Sequence, residues 1–145
     1  MRPDLFFTAG SLLAMLGWLA LATSLFAAQV RPWVWRATGI AIPGLLAIAY
    51  IGLLAAGWGQ TPGGGFGSIG EVRALFANDA ALTAGWLHYL AFDLFVGTWI
   101  AREGLKAGVS PILLLPGLLL TFLFGPAGLL LFLIIRRAAE RGARS

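Results

Sequence analysis

The sequence predicts an all-α integral membrane protein: four transmembrane helices, with a short amphipathic surface helix between the second and third. Three observations predict it. Hydrophobic residues make up 59% of the 145 residues and charged residues only 11%, against about 25% charged in an average soluble protein. A chain this short cannot hide so much apolar side chain in a water-facing fold. Four long apolar runs stand out, at 5–28, 37–58, 80–101 and 111–135, and only the third carries ionisable residues, His88 and Asp93. Each is long enough for the ~20 residues that a helix needs to cross a ~30 Å hydrocarbon core.

Helices are required because lipid offers the backbone no hydrogen-bond partner. Membrane strands would alternate in polarity, and four could not close a barrel. The first run follows Arg2 and ends in "FAA", like a signal peptide. It exceeds the usual ~7–15-residue apolar stretch of such peptides, so we read it as a retained helix. The connection "QVRPWVWRAT" brings Trp33 and Trp35 to an interface, where tryptophan anchors are common. Pro43 interrupts the second run, and Pro116 and Pro126 the fourth. Membrane helices tolerate such prolines as kinks.

The longest connection opens "GQTPGGGFGSIG" and continues "EVRALFAND". Ser68 and Glu71 have capping-box spacing. Ile69, Val72, Leu75 and Phe76 then share one helical face, which predicts a surface helix. Gly65, Gly67 and Gly70 match G-x-G-x-x-G, but a dinucleotide site requires a preceding strand and a βαβ unit. We read a glycine turn instead.

We expect one membrane domain over 1–145, with 136–145 a basic tail. Four crossings put both termini on one side, with Arg2, Arg73, Arg136, Arg137, Arg141 and Arg144. Arg31, Arg36, Arg102 and Lys106 fall on the other. Six against four favours cytoplasmic termini, in what reads as a bacterial inner membrane. The net charge of +4 points to anionic lipid rather than nucleic acid, since no nucleic-acid-reading motif accompanies it. No cysteine is present, so disulfides and thiolate metal sites are excluded.

The residues that bear chemistry lie in "HYLAFDLFVGTWIARE", 88–103. An ionised carboxylate at mid-membrane costs several kcal/mol unless paired or wetted, so Asp93 should face the bundle interior. At about 100° per residue, Trp86, Tyr89, Asp93, Gly97 and Ile100 share a face, while His88 lies with Phe92, Phe95 and Trp99. His88 and Asp93 are then about 140° apart, and we expect them to line two edges of one cleft. They are the candidate catalytic pair. The competing reading makes both of them packing glue, bonded to Thr121, Tyr50 or a carbonyl freed by a proline. Trp86, Tyr89, Phe92 and Trp99 are the candidate substrate-binding residues. With Trp18, Trp58 and Phe95 they could line a groove for a long apolar ligand. Glu71, Arg73, Asn78, Asp79, Arg102 and Glu103 are candidates for the mouth of the site. For Asn78 and Asp79 the plainer role is N-capping, and for Arg102 and Glu103 interfacial anchoring. One histidine is too few for the familiar zinc motifs, though carboxylates at Glu71, Asp79 and Asp93 could help. We expect no metal and no cofactor.

The stretch "GGGFGSIGEVRALFANDAALTAGWLHYLAFDLFVGTWIARE" and the later "LLTFLFGPAGLLLF" resemble a family of small membrane proteins. These are related to the plant protein required for neoxanthin synthesis, named for the abscisic-acid deficiency that its loss causes. The densest matches are "HYLAFDLFVG", with His88 and Asp93 in place, and "FLFGP". The resemblance covers the chain from the first apolar run through the fourth. It implies a carotenoid or other isoprenoid ligand, since the plant relatives are implicated in converting violaxanthin to neoxanthin. It also implies acid–base epoxide opening, in which Asp93 could give a proton and His88 accept one. The chain departs from the plant pattern in its short N-terminus and its basic C-terminal tail. Whether it is an enzyme stays open at this point. The alternatives are a non-catalytic scaffold or carotenoid-binding subunit, and a small oligomeric transporter or proton relay. Membrane lipid is the expected partner, and a homo-oligomer would supply further helices.

Overall fold

The computed structural model describes residues 2–57 and 60–142. Trp58, Gly59 and Arg144 lie outside them. Six helices form, with no strand among the described residues. Three are long and apolar enough to cross a membrane: α1 (Pro3–Ser24), α2 (Ala28–Gly57) and α4 (Asp79–Lys106). The short α3 (Ile69–Phe76) precedes α4. The fourth apolar run becomes two helices, α5 (Pro111–Phe124) and α6 (Pro126–Gly142).

Each boundary has a chemical cause. Pro3 opens α1, where its missing N–H costs nothing. The guanidinium of Arg31 ends it, with Nε donating to the Ser24 carbonyl at 2.9 Å and a terminal nitrogen to the Leu25 carbonyl at 2.8 Å. These carbonyls would otherwise be unsatisfied helix-end acceptors. Helix α2 widens into a π turn over Ala37–Ala41, just before Pro43, which cannot donate to the carbonyl four residues back. The turn presents Thr38 to α4, where the buried Thr98 hydroxyl donates to Thr38 Oγ1 at 2.8 Å. Of the expected capping box at α3 the Ser68 half forms, while the Glu71 carboxylate reaches the N–H of Gly67 rather than that of Ser68. Ser68 Oγ accepts from the Glu71 N–H at 3.2 Å, and Glu71 Oε2 from the Gly67 N–H at 2.9 Å. Helix α4 closes at Gly108, whose φ of 75° only glycine adopts freely.

Helix α4 is the axis of the bundle. Leu87, Leu94 and Ile100 on it are fully buried. Helix α1 runs parallel to it: Gly10 meets Leu87, Gly17 meets Leu94, and Gly97 takes the ring of Trp18. These glycines give the close approach that small residues provide in membrane bundles. Helix α2 runs antiparallel, from Gly39 against Thr98 to Gly57 against Asn78.

The structure corrects the expected fourth crossing. Residues 111–135 do not make one helix, because the chain breaks at Gly125 (φ 31°, ψ −86°) and Pro126 starts a new helix. A proline inside a helix lacks its N–H and clashes with the carbonyl four residues back. Helix α6 then folds back along α5. Gly128 lies directly on Thr121 and Gly117, and Phe132 shares a core with Val109, Leu114 and Leu118. At 1.5 Å per residue α5 rises about 21 Å, half the length of α4. Its tip meets Asp93, at the middle of α4. The pair is a helical hairpin that enters from the Lys106 end of α4 and returns to it. Arg136 accordingly acts on Glu103, near that end.

Two expectations change with it. The first residues of the basic tail continue α6 as far as Gly142. The described ends of the chain lie at opposite ends of the bundle, with Asp4 beside Asp79 and Arg136 beside Glu103. The count of six against four no longer applies. Arg2 and Arg73 lie at one end. Arg31, Arg36, Arg102, Lys106, Arg136, Arg137 and Arg141 lie at the other.

Single cysteines in this cysteine-free chain test the topology. Labels at positions 66 and 137 should report opposite sides of the membrane, whereas four crossings would put both on one side. The hairpin has its own test. Gly128→Leu forces a side chain into the α5 backbone and should destabilise the protein by about 1–3 kcal/mol or more, read as thermal unfolding in detergent.

Candidate functional site

The hairpin tip gathers the polar groups at mid-bundle. Pro126 has no N–H, so the Phe122 carbonyl loses its helical partner. The Tyr89 hydroxyl of α4 replaces it, donating to Phe122 O at 3.0 Å. The same hydroxyl lies within hydrogen-bonding reach of the Asp93 carboxyl one turn on. Asp93 Oδ1 sits against Gly125, where a Cβ would collide with it. Oδ2 is shielded and has no hydrogen-bond partner. A buried, unpaired carboxylate oxygen is costly, and here it lies at the depth where water is scarcest.

Above the tip the α1 and α4 faces form a groove. The Trp86 indole N–H donates to Ser11 Oγ at 2.9 Å. Its ring stacks on Phe7 with centroids 5.4 Å apart, and the Tyr89 ring lies at the same distance on a tilt. Trp18 and Phe122 meet edge to face at 5.6 Å. Three recesses follow α1. A 500 Å³ recess holds Asp4, Thr8, Asp79, Thr83 and Trp86. A 240 Å³ cavity lies below Trp86, lined by Ser11, Tyr89, Leu90 and Phe122. A 620 Å³ cleft between α1 and α5, from Met15 to Ala22, is almost wholly apolar. Trp86 borders the first two, and Met15 and Phe122 the last two.

The structure sorts the sequence candidates. Trp86, Tyr89 and Asp93 come together as the face count requires. His88 does not join them. It is exposed on the bundle surface, stacked on Phe92 with centroids 4.6 Å apart and 5.7 Å from the Tyr50 ring. Asp93 instead has Gly125 and Tyr89 as neighbours. Phe92 and Phe95 are exposed beside His88, and Trp99 packs edge to face on Phe132 at 5.3 Å. Of the mouth candidates only Asp79 lines the groove. Glu71 folds back on its own loop and Arg73 is exposed. Asn78 caps α4, accepting from the N–H groups of Ala80 and Ala81 at 2.9 and 3.2 Å. Arg102 and Glu103 stand at the far end, Arg102 over Trp35 at 5.9 Å and Glu103 paired with Lys106 at 2.8 Å. Thr121 donates to its own helix, to Gly117 O at 2.7 Å.

Sequence reading missed Phe7, Ser11, Phe122 and Gly125. Only the last two left a trace, a Gly-Pro pair in the middle of an apolar run, which marks a turn as readily as a kink.

No curated protein and no solved structure matches the chain. Residues 5–132 match the family described as ABA DEFICIENT 4-like, and the chain belongs to that family.

Proposed function

We propose that this membrane protein takes a long apolar lipid of isoprenoid type, such as a carotenoid, into the groove along α1, and that Asp93 acts on it by acid–base chemistry. The observation that carries this reading is the Asp93 carboxyl at mid-bundle, with one oxygen lacking a partner beside a hairpin tip built against it. Family membership supports the ligand class. The aromatic lining supports a ligand that is flat and apolar over much of its length.

An epoxide-to-allene isomerisation is internally balanced. A carbon-bound proton leaves to a base, the epoxide C–O bond breaks, and the oxygen gains a proton. One carboxyl that first accepts and then returns a proton satisfies this balance. The Tyr89 hydroxyl beside it can hydrogen-bond the oxygen while charge develops there. His88, on another face of α4, takes no part in this scheme. The second reading is a binding subunit without chemistry. It is favoured by the almost wholly apolar cleft from Met15 to Ala22, which offers a ligand burial and no reacting group.

Expression in a carotenoid-producing host, followed by pigment analysis, separates the two. Asp93→Asn should abolish a pigment change by about 100-fold or more, the scale of acid–base catalysis, with thermal stability held. His88→Gln should leave the pigment change largely intact. Pigment that copurifies unaltered with wild type, with no conversion in the host, would decide for the binding subunit. Tyr89→Phe should lower stability by about 1–3 kcal/mol in either case, because it strands the Phe122 carbonyl.

A further inference from the structure

The groove has two unlike ends, and so does the bundle. At the α4 N-terminal end the recess presents Asp4, Thr8, Asp79 and Thr83, with no basic side chain in its lining. The far end of the groove is the almost wholly apolar cleft against α5. From Asp4 to Ala22 the α1 face measures about 27 Å at 1.5 Å per residue. Charge divides the bundle the same way. Two arginines lie at the recess end and seven basic residues at the hairpin-base end, among the described residues. Basic residues flanking membrane helices collect on the cytoplasmic side.

We propose that the groove takes one lipid molecule from the non-cytoplasmic leaflet, with an uncharged hydroxyl-type head in the Asp4–Asp79 recess and its chain running past Trp86 toward Asp93. This rests on the reading of the groove given above and adds the leaflet, the direction of the ligand and the class of its head. The carboxylates of Asp4 and Asp79 accept hydrogen bonds from a hydroxyl. They repel a phosphate, and no cation in the lining offsets that repulsion. Most membrane lipid carries phosphate, so the recess would reject the bulk lipid that competes for the groove. The Thr8 and Thr83 hydroxyls can serve as donor or acceptor to the same head. The opposite end of the groove is lined by apolar side chains of α1 and α5. A head group entering from the cytoplasmic leaflet would meet the apolar cleft rather than a polar recess.

Two measurements on the full chain test this. In right-side-out membrane vesicles of a bacterial host, an impermeant maleimide should label Gln60→Cys, at the recess end, and spare Arg137→Cys until the vesicles are opened. The reverse pattern overturns the leaflet assignment. For the head group the probes are a diazirine-bearing C20 isoprenoid alcohol and its monophosphate ester, used on protein reconstituted in phosphatidylcholine vesicles. The alcohol should crosslink to the Phe7 and Trp86 peptides, and the ester at least tenfold less. The Asp4→Asn, Asp79→Asn double variant should bring the ester near the alcohol. Equal labelling of the wild-type recess by both probes overturns the head-group selection while leaving the groove a lipid site. Crosslinks confined to the exposed face of α2 sink the groove itself, and with it the functional reading. Recess labelling that survives Asp93→Asn shows binding that does not depend on the chemistry.

Discussion

A single missing hydrogen bond organises this protein. Pro126 cannot donate to the Phe122 carbonyl, and in hydrocarbon no water can take its place. The chain resolves this in two steps. Gly125 leaves the helix through a positive φ, and Tyr89 brings a hydroxyl from α4 to the stranded oxygen. The apolar run is thereby folded in half. The tip of the fold is fastened at the middle of α4 and cannot reach the other side. The position of Tyr89 thus fixes how deep the hairpin goes, and the depth decides that Asp93, one turn further along, meets the tip.

The hairpin also makes the groove possible. A fourth full-length helix would cover the α1–α4 seam from end to end. A half-length hairpin covers one half and leaves the other open from Asp4 to Phe122, with Phe7, Trp86 and Tyr89 as its wall. Close packing on the rest of α4 works against such a cavity. Gly10 and Gly17 take the side chains of Leu87 and Leu94, and Gly97 takes the ring of Trp18, so side chains of each helix fill notches in the other.

Helix formation was legible in the sequence because it depends on local chemistry, but several boundaries were not: the stretch 29–38 reads as a connection and instead lies inside α2, which begins at Ala28, and α4 runs on past residue 101 to Lys106. Ser68 with Glu71 and Asn78 before α4 behave as local rules require. The face shared by Trp86, Tyr89 and Asp93 was legible from helical geometry alone. The fold-back was not, because a Gly-Pro pair permits both a kink and a reversal. Which occurs depends on Gly117, Thr121 and Gly128 meeting across the turn, a contact between positions no periodicity links. Misreading it inverted the C-terminal end and with it the charge count. The different surroundings of His88 and Asp93 were not legible for a simpler reason. Cost in lipid says that a polar side chain needs an explanation, not that two of them share one. His88 has its own surroundings in Tyr50 and Phe92.

The polar groups inside the bundle allow packing to be told from function. Ser24, Thr38, Thr98 and Thr121 are buried, and each hydroxyl bonds a carbonyl or another hydroxyl close by. The Trp86 indole has Ser11 and the Tyr89 hydroxyl has Phe122. Thr98 with Thr38, Trp86 with Ser11 and Tyr89 with Phe122 join neighbouring helices, while Ser24 and Thr121 bond carbonyls of their own helices, and each of these groups is satisfied. Among the described residues three buried side-chain polar atoms are not: Trp35 Nε1, Thr61 Oγ1 and Asp93 Oδ2. Trp35 lies in the first turns of α2 and Thr61 in the loop before α3, each near an end of the bundle. Asp93 lies at the midpoint of α4, far from both interfaces. An apolar side chain or an asparagine would serve packing there at less cost. The Asp93 carboxyl, with Oδ2 unpartnered and Oδ1 against Gly125, therefore carries a cost that helix packing alone does not offset.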